Sequence, residues 1–159
     1  MGVITHTNEL SCSVAPSRMF TAMFLDAPNL MPKLMPDTIK SVEILEGDGG
    51  AGSVVQINFS AGPFKYIKHR TDFIDKENFI CKYSLIEGEL LGDKFECISH
   101  EVKLEPTSHG GCIVKMKAHF HCKGDVKINE EEMKAGQEKG EKMQKVIEAY
   151  LIKHPEVYA

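Results

Sequence analysis

The sequence predicts an α+β fold in which an antiparallel sheet is covered by one long C-terminal helix. Three observations carry this. Apolar and polar residues alternate with a period of two through most of residues 39–120, the mark of antiparallel strands with one covered and one wet face. Glycine, proline and asparagine cluster between those runs at turn spacing. From Met133 onward the apolar period changes to three and four, as on one face of a helix.

Taken in order, Val3 to Val14 reads as a strand. Pro16 can open a short helix over Ser17 to Leu25, because proline is tolerated in a first turn. Asp26 is placed to cap a second short helix, which Pro28, Pro32 and Pro36 keep from extending. Strand alternation follows. Ile39, Ser41 and Glu43 alternate with Val42 and Ile44, and Val55, Ile57 and Phe59 oppose Gln56 and Asn58. Phe64 and Tyr66 share a face, as do Phe79, Cys81, Tyr83 and Leu85. Ile98, His100, Val102 and Leu104 alternate with Cys97, Ser99, Glu101 and Lys103. Val114, Met116, Ala118 and Phe120 alternate with Lys115, Lys117, His119 and His121. Turn signals lie at Gly47–Gly52, Ala61-Gly62-Pro63, Asp75–Asn78, Gly88–Asp93 and Pro106–Gly111.

Asn129 before Glu130, Glu131 and Glu132 is a strong helix start, with a cap and acids near the positive end of the dipole. Met133, Gly136, Gly140, Met143, Ile147 and Tyr150 then form a single stripe, and Pro155 stops the helix. About two dozen residues at 1.5 Å each reach roughly 36 Å, enough to cross a sheet. Gly136 and Gly140 are unexpected on a buried stripe, since each costs about 1 kcal/mol against alanine. Spacing alone leaves two readings open: close helix–sheet packing, or the wall of a cavity.

The chain has 159 residues, 42% hydrophobic and 26% charged, and is expected to form a single domain over 1–159. Its net charge of −4 gives no pull toward nucleic acid or anionic membranes. No basic start followed by an apolar core marks a secretory signal, and no apolar run is long enough to span a bilayer. Gly2 lacks the Ser or Thr at position 6 that myristoylation favours, where this chain has His6. The five cysteines, Cys12, Cys81, Cys97, Cys112 and Cys122, include no CxxC pair and read as free thiols of a reducing compartment. A cytoplasmic location is the expectation.

Gly47-Asp48-Gly49-Gly50-Ala51-Gly52 fits GxGxxG. The dinucleotide reading requires a helix after the loop, and Ser53–Phe59 is strongly β. No Gly-Lys-Ser/Thr closes a Walker loop either. A turn that needs positive φ at several positions explains Gly47, Gly49, Gly50 and Gly52 better than phosphate binding does. His119 and His121 point the same way along one strand, with Cys122 next, but no matching acid or histidine pair is evident nearby. Neither a metal nor a cofactor is expected.

The sequence resembles the birch pollen major allergen family, the pathogenesis-related class-ten proteins of plants. Matching pieces are Met1-Gly2-Val3, Ser41 to Gly50 (SVEILEGDGG), Lys65-Tyr66-Ile67-Lys68-His69, Tyr83 to Gly88 (YSLIEG), His121 to Asp125 (HCKGD) and Glu148-Ala149-Tyr150-Leu151. They run through essentially the whole chain in the family's order. The resemblance implies a seven-stranded curved antiparallel sheet, two short helices in a V and a long helix gripped by the sheet. It also implies a large internal cavity for flavonoids, cytokinins, fatty acids or related plant metabolites, and a stress- or defence-linked role. The expected state is a monomer, with a dimer as the alternative, and no membrane partner.

Residue phase supplies the expected lining: Phe59, Phe64, Tyr66, Tyr83, Leu85, Ile98, His100, Val102, Met116 and Ala118 on strands, Gly140 and Met143 on the long helix, and Met23 and Met31 on the short ones. Methionines are pliable and suit variable apolar guests. His69, Tyr83, His100 and Gln137 are the polar groups that could orient a guest.

Enzyme readings compete. Relatives include condensing enzymes that use a tyrosine, a lysine and an acid inside the cavity; Tyr83 and Tyr66 are available, but Lys115 and Lys117 fall on the outer phase. Ribonuclease activity is attributed to the family, and the matching residues would be Glu96, Glu148 and Tyr150. The family's glycine loop is usually followed by a lysine pair, where this chain has Val55-Gln56. Cleavage of a phosphodiester requires a cation on the developing charge. No RNA cleavage above contamination level is therefore expected. The check is wild type purified in parallel with Glu148→Ala; cleavage by the former and not the latter would refute the expectation.

Overall fold

The computed structural model describes residues 2–62, 64–89 and 91–159. Met1 of the resemblance, Pro63 of the 61–63 turn signal and Leu90 of the 88–93 turn signal lie outside the described residues. The chain runs β1 (Val3–Cys12), α1 (Pro16–Phe20) and a π-helical turn (Thr21–Leu25), then α2 (Ala27–Leu34), β2 (Ile39–Glu46), β3 (Val54–Phe59) and β4 (Tyr66–Asp75). β5 (Ile80–Gly88), β6 (Phe95–Pro106), β7 (Cys112–Cys122) and α3 (Glu130–Lys153) complete it. The seven strands make one antiparallel sheet in the order β1-β7-β6-β5-β4-β3-β2.

Register explains which residues face inward. β7 pairs along its length with β1, from Val3↔His121 to Cys12↔Cys112, and with β6, from Phe95↔Cys122 to Pro106↔Cys112. Side chains alternate across a strand, so Cys112, Val114, Met116, Ala118, Phe120 and Cys122 share the inner face with Ile98, His100, Val102 and Leu104. Register shifts interrupt β2–β3 and β4–β5. Such irregularities bend the bulged strand and sharpen the twist of a sheet.

The short helices differ from expectation. α2 continues through Pro32, because burial of Leu30 and Met31 compensates for the lost backbone bond. Asp26 occupies the N-cap position, but its carboxylate does not cap the helix. It accepts hydrogen bonds from Asn29 Nδ2 at 2.8 Å and from the Tyr158 hydroxyl instead. The long helix starts as expected, with Asn129 Oδ1 accepting from the Glu132 amide at 2.7 Å.

α3 is held at its C-terminal half. Ile147 is 1% and Leu151 0% exposed, inside an apolar cluster with Cys12, Val14, Phe20, Ile39, Leu104 and Val114. Arg18 of α1 closes this end: Nε donates to the Val157 carbonyl at 2.9 Å, and Nη2 donates to the Leu151 and His154 carbonyls at 3.0 Å each. Glu148 accepts from the Ser13 amide at 2.7 Å and from Ser13 Oγ at 3.1 Å, tying the helix to the end of β1. The final carbonyls of a helix lack internal donors, and here a guanidinium supplies them. Replacing Arg18 with Met keeps the stem and removes the donors. The net worth of hydrogen bonding to a charged group is about 1.5–3 kcal/mol. A loss of about 3 kcal/mol, or roughly 6–12 °C in Tm, is expected. An unchanged melt would show that the clamp contributes nothing.

Candidate functional site

The inner face of the sheet carries two apolar clusters. One surrounds Ile147 and Leu151 as above. The other contains Ile67, Leu85, Leu91, Phe95, Ile98 and Cys122. Ile57 and Phe59 pack against both. Between and around the clusters the inward side chains are not sealed: Ile57, Phe59, Tyr83, Met116, Ala118, Phe120 and Met143 are all half-buried. Protein surrounds His69 and Tyr83 on every side, yet both keep accessible surface. Accessible surface at that depth marks a hollow that the side chains do not fill. α3 roofs it, and its backbone comes close to β1, α1, the π-helical turn and α2. A Cβ built on Gly140 meets nothing within 4 Å, so this glycine borders open space rather than touching the sheet. Gly136 is exposed, away from the buried stripe.

An aromatic row crosses the hollow. Phe24 of the π-helical turn lies 6.2 Å from Tyr83 between ring centroids, Tyr83 lies 5.0 Å from His69, and His100 stacks on Tyr83 at 4.8 Å and 20°. Burial lowers the His69 pKa from 6.5 to about 4, with His100 adding to the effect. Burial likewise lowers His100 to about 4, with a smaller push from His119. Burial also raises the Tyr83 phenol. At neutral pH the row is uncharged. Between β1 and α3, His6 Nε2 hydrogen-bonds Gln137 Oε1, and Gln137 Nε2 donates to Glu141 Oε1 at 2.8 Å. Since the amide oxygen can only accept, His6 carries its proton on Nε2.

Of the expected lining, Phe59, His69, Tyr83, His100, Met116, Gln137, Gly140, Met143 and Met23 are half-buried, while Met31, Leu85, Ile98 and Val102 are enclosed in the clusters. Two residues differ. Tyr66 points outward, its hydroxyl donating to Glu87 Oε2 at 2.7 Å with Lys68 Nζ over the ring. β4 begins at Tyr66 and its inward phase is Ile67 and His69, so the phase read from Phe64 and Tyr66 was the wrong one. Phe64 precedes the strand, in the β3–β4 loop, half-buried and outside both clusters. Sequence reading also passed over Phe24, His6, Asn8 and Gln144. The last three fall on inward phases, next to Ile4, Leu10 and Ile147, and that phase was the available signal.

The glycine loop commits its amides internally. Gly49 N donates to Ser53 Oγ at 2.9 Å, Gly50 N to Asp48 Oδ1 at 2.9 Å and Gly52 N to the Thr71 carbonyl at 2.7 Å. Gly47 and Gly49 have φ of +85° and +97°, and a side chain at Gly47 would run into Ser53 Oγ. The loop is a tight connection pinned to β4 rather than an open nest of donors.

The outer face holds the remaining candidates. His119 bridges Thr5 Oγ1 at 3.1 Å and Glu101 Oε2 at 2.7 Å, and His121 meets Ser99 Oγ at 2.9 Å. Among the described residues no group of three or more His, Cys, Asp or Glu could hold a metal. Glu148 is tied to Ser13, the Tyr150 hydroxyl accepts from Lys33 at 3.3 Å, and Glu96 is exposed on β6. Two open concavities lie outside the interior. One, of about 430 Å³, follows the solvent face of α3 past Glu138, Lys142 and Lys145; the other, of about 460 Å³, lies on β2–β3 beside Glu43, Gln56 and Lys65. Both are shallow; Val146 and Ala149 give the first an apolar floor between charged residues, and the second is mainly polar.

A curved sheet that grips one helix over a partly open apolar interior defines a helix-grip protein. The chain belongs to the pathogenesis-related protein Bet v 1 family, whose model matches residues 1–154. It is 50% identical to the major allergen Pru av 1 of Prunus avium over 159 residues, covering 99% of both chains. The crystal structure of Ara h 8.0201 is 33% identical, with a TM-score of 0.87 over 96% of this chain and 100% of that one. Norcoclaurine synthase of Thalictrum flavum, solved with dopamine and hydroxybenzaldehyde, is 24% identical with a TM-score of 0.78, covering 96% and 88% of the two chains. At that identity the likeness is one of fold. No helix among the described residues is long and apolar enough to cross a membrane.

The buried imidazoles make stability pH-dependent. Folded His69 and His100 resist protonation down to about pH 4, whereas in the unfolded chain they titrate near 6.5. As pH falls below 6.5 the unfolded state takes up protons first, so stability is complete above 6.5 and drains away toward 4. A shift of this size is worth roughly 3 kcal/mol per group at most. The expectation is about 2 kcal/mol per imidazole between pH 6.5 and 4. Urea unfolding across that range should show His100→Phe losing clearly less stability than wild type; parallel curves would count against neutral burial.

Proposed function

We propose that this protein is an intracellular, cytoplasmic carrier of small apolar plant metabolites or hormones, acting as a single ligand-binding domain over residues 1–159 and as a monomer. One observation carries the reading: inward apolar and aromatic side chains keep accessible surface although α3 covers them. Burial of such surface by a guest is favourable at about 25 cal/mol per Å². Flat, uncharged flavonoids and cytokinins suit a row of stacked rings. A fatty-acid anion suits it less, because no lysine or arginine lies on the inner phase of the described strands. A stress- or defence-linked role accords with the family's description.

An apolar aromatic reporter dye should bind with a low-micromolar Kd in a fluorescence titration. No saturable signal from folded protein would end the carrier reading. Gly140→Leu locates the site. Its side chain would gain about 1 kcal/mol of helix propensity and bury apolar surface worth about 1–2 kcal/mol more. Tm should hold or rise while dye affinity falls about tenfold, or ~1.4 kcal/mol. A destabilised variant with unchanged affinity would place the pocket elsewhere.

A further inference from the structure

Two polar atoms on the inward phases of β1 and α3 remain unmatched. Asn8 Nδ2 on β1 and Gln144 Oε1 on α3 are buried and hydrogen-bond to nothing among the described residues. Gln144 is only 4% exposed. Its other amide atom, Nε2, donates to Met116 Sδ at 2.9 Å. Met116 stands directly opposite Asn8 in the β1–β7 ladder, and side chains so opposed lie about 5 Å apart at Cβ. An orphaned donor and an orphaned acceptor therefore flank one methionine that borders the hollow. Buried polar groups without partners are rare in native interiors and call for a reason.

We propose that Asn8 and Gln144 form a hydroxyl-recognition subsite, in which the oxygen of a neutral alcohol or phenol accepts from Asn8 Nδ2 and its proton is donated to Gln144 Oε1. The proposal rests on the carrier reading and names the class of guest. A hydroxyl both accepts and donates through one small atom, which is what this pair requires. A ketone or ether can only accept and would leave Gln144 Oε1 unmatched. An ammonium can only donate and would leave Asn8 Nδ2 unmatched. A carboxylate has no proton for Gln144 and finds no cation on the inner phase of the strands. A site built around a hydroxyl discriminates strongly against analogues lacking it, because its own polar atoms are then stranded.

The test compares 2-naphthol with 2-methylnaphthalene, a nearly isosteric pair, by displacement of the bound dye. Solvent partition alone favours the methyl compound, so a preference for the naphthol has to come from the protein. Wild type should bind the naphthol at least about tenfold more tightly. In Gln144→Leu the ratio should fall to about twofold or less, with methylnaphthalene affinity kept and Tm not lowered; Asn8→Leu should do the same from the opposite wall and stands in if the first variant does not fold. Equal binding of the two compounds by wild type would mean that a trapped water is all the pair holds, and the subsite is overturned while methylnaphthalene binding leaves the carrier reading standing. A preference that survives both substitutions overturns the subsite too. If neither compound nor the dye binds folded protein, the carrier reading and the subsite fall together.

Discussion

Ile147 and Leu151, enclosed by the cluster at one end of the sheet, and the Arg18 guanidinium across three terminal carbonyls pin the last turns of α3. The helix is 24 residues long, far more than that anchor requires. The turns before the anchor therefore project over the sheet, and their side chains set how closely it is approached. At Gly140 there is no side chain, and at Met143 there is a flexible one. Packing at one end, combined with small or pliable residues further along, holds a helix above a sheet without filling the space between. A uniformly leucine-rich stripe would have closed it.

The chemistry of the interior follows from that opening. A hollow surrounded by protein is a poor solvent for charge, and the groups placed there are those that tolerate neutrality. His69 and His100 hold their imidazoles uncharged on either side of Tyr83. Lysines lie on the outer phase, where Lys82 and Lys115 pair with Glu101 and Glu105. Such exposed pairs contribute little to stability, but their placement leaves the inner phase of the strands free of cations. Sorting by face keeps charged side chains off the inner face of the sheet.

Much of this was legible in the sequence. Alternation located the strands and the inward phase of β3, β5, β6 and β7, because the irregularities of β5 and β6 fall near strand ends, at Ile86 and Glu96. β4 failed for a physical reason. Phe64 and Tyr66 match at spacing two, but the strand starts only at Tyr66 and a register shift follows at Thr71/Phe73. Short-range alternation cannot reveal where a strand begins. The π-helical turn at Thr21–Leu25 was equally hidden: it inserts an extra residue into a helical stretch and brings Phe24 against Tyr83. The glycine stripe left close packing and open space undecided, and the space beside Gly140 counts against close packing there.

The polar residues of the interior show the deeper limit of pattern reading. His6, Asn8 and Gln144 occupy apolar phases, and a search for apolar periodicity passes over them because each breaks the pattern that defines the face. Yet a polar residue on a buried phase is where a fold departs from its own packing rules, and such departures concentrate at functional sites. The fold is shared between this chain and a protein 24% identical to it that was solved with dopamine and hydroxybenzaldehyde. An architecture common to such different sequences cannot by itself select a guest. Chains that share the fold differ in the hydrogen-bonding groups they place on the inner face, and in this chain His6, Asn8 and Gln144 hold such positions.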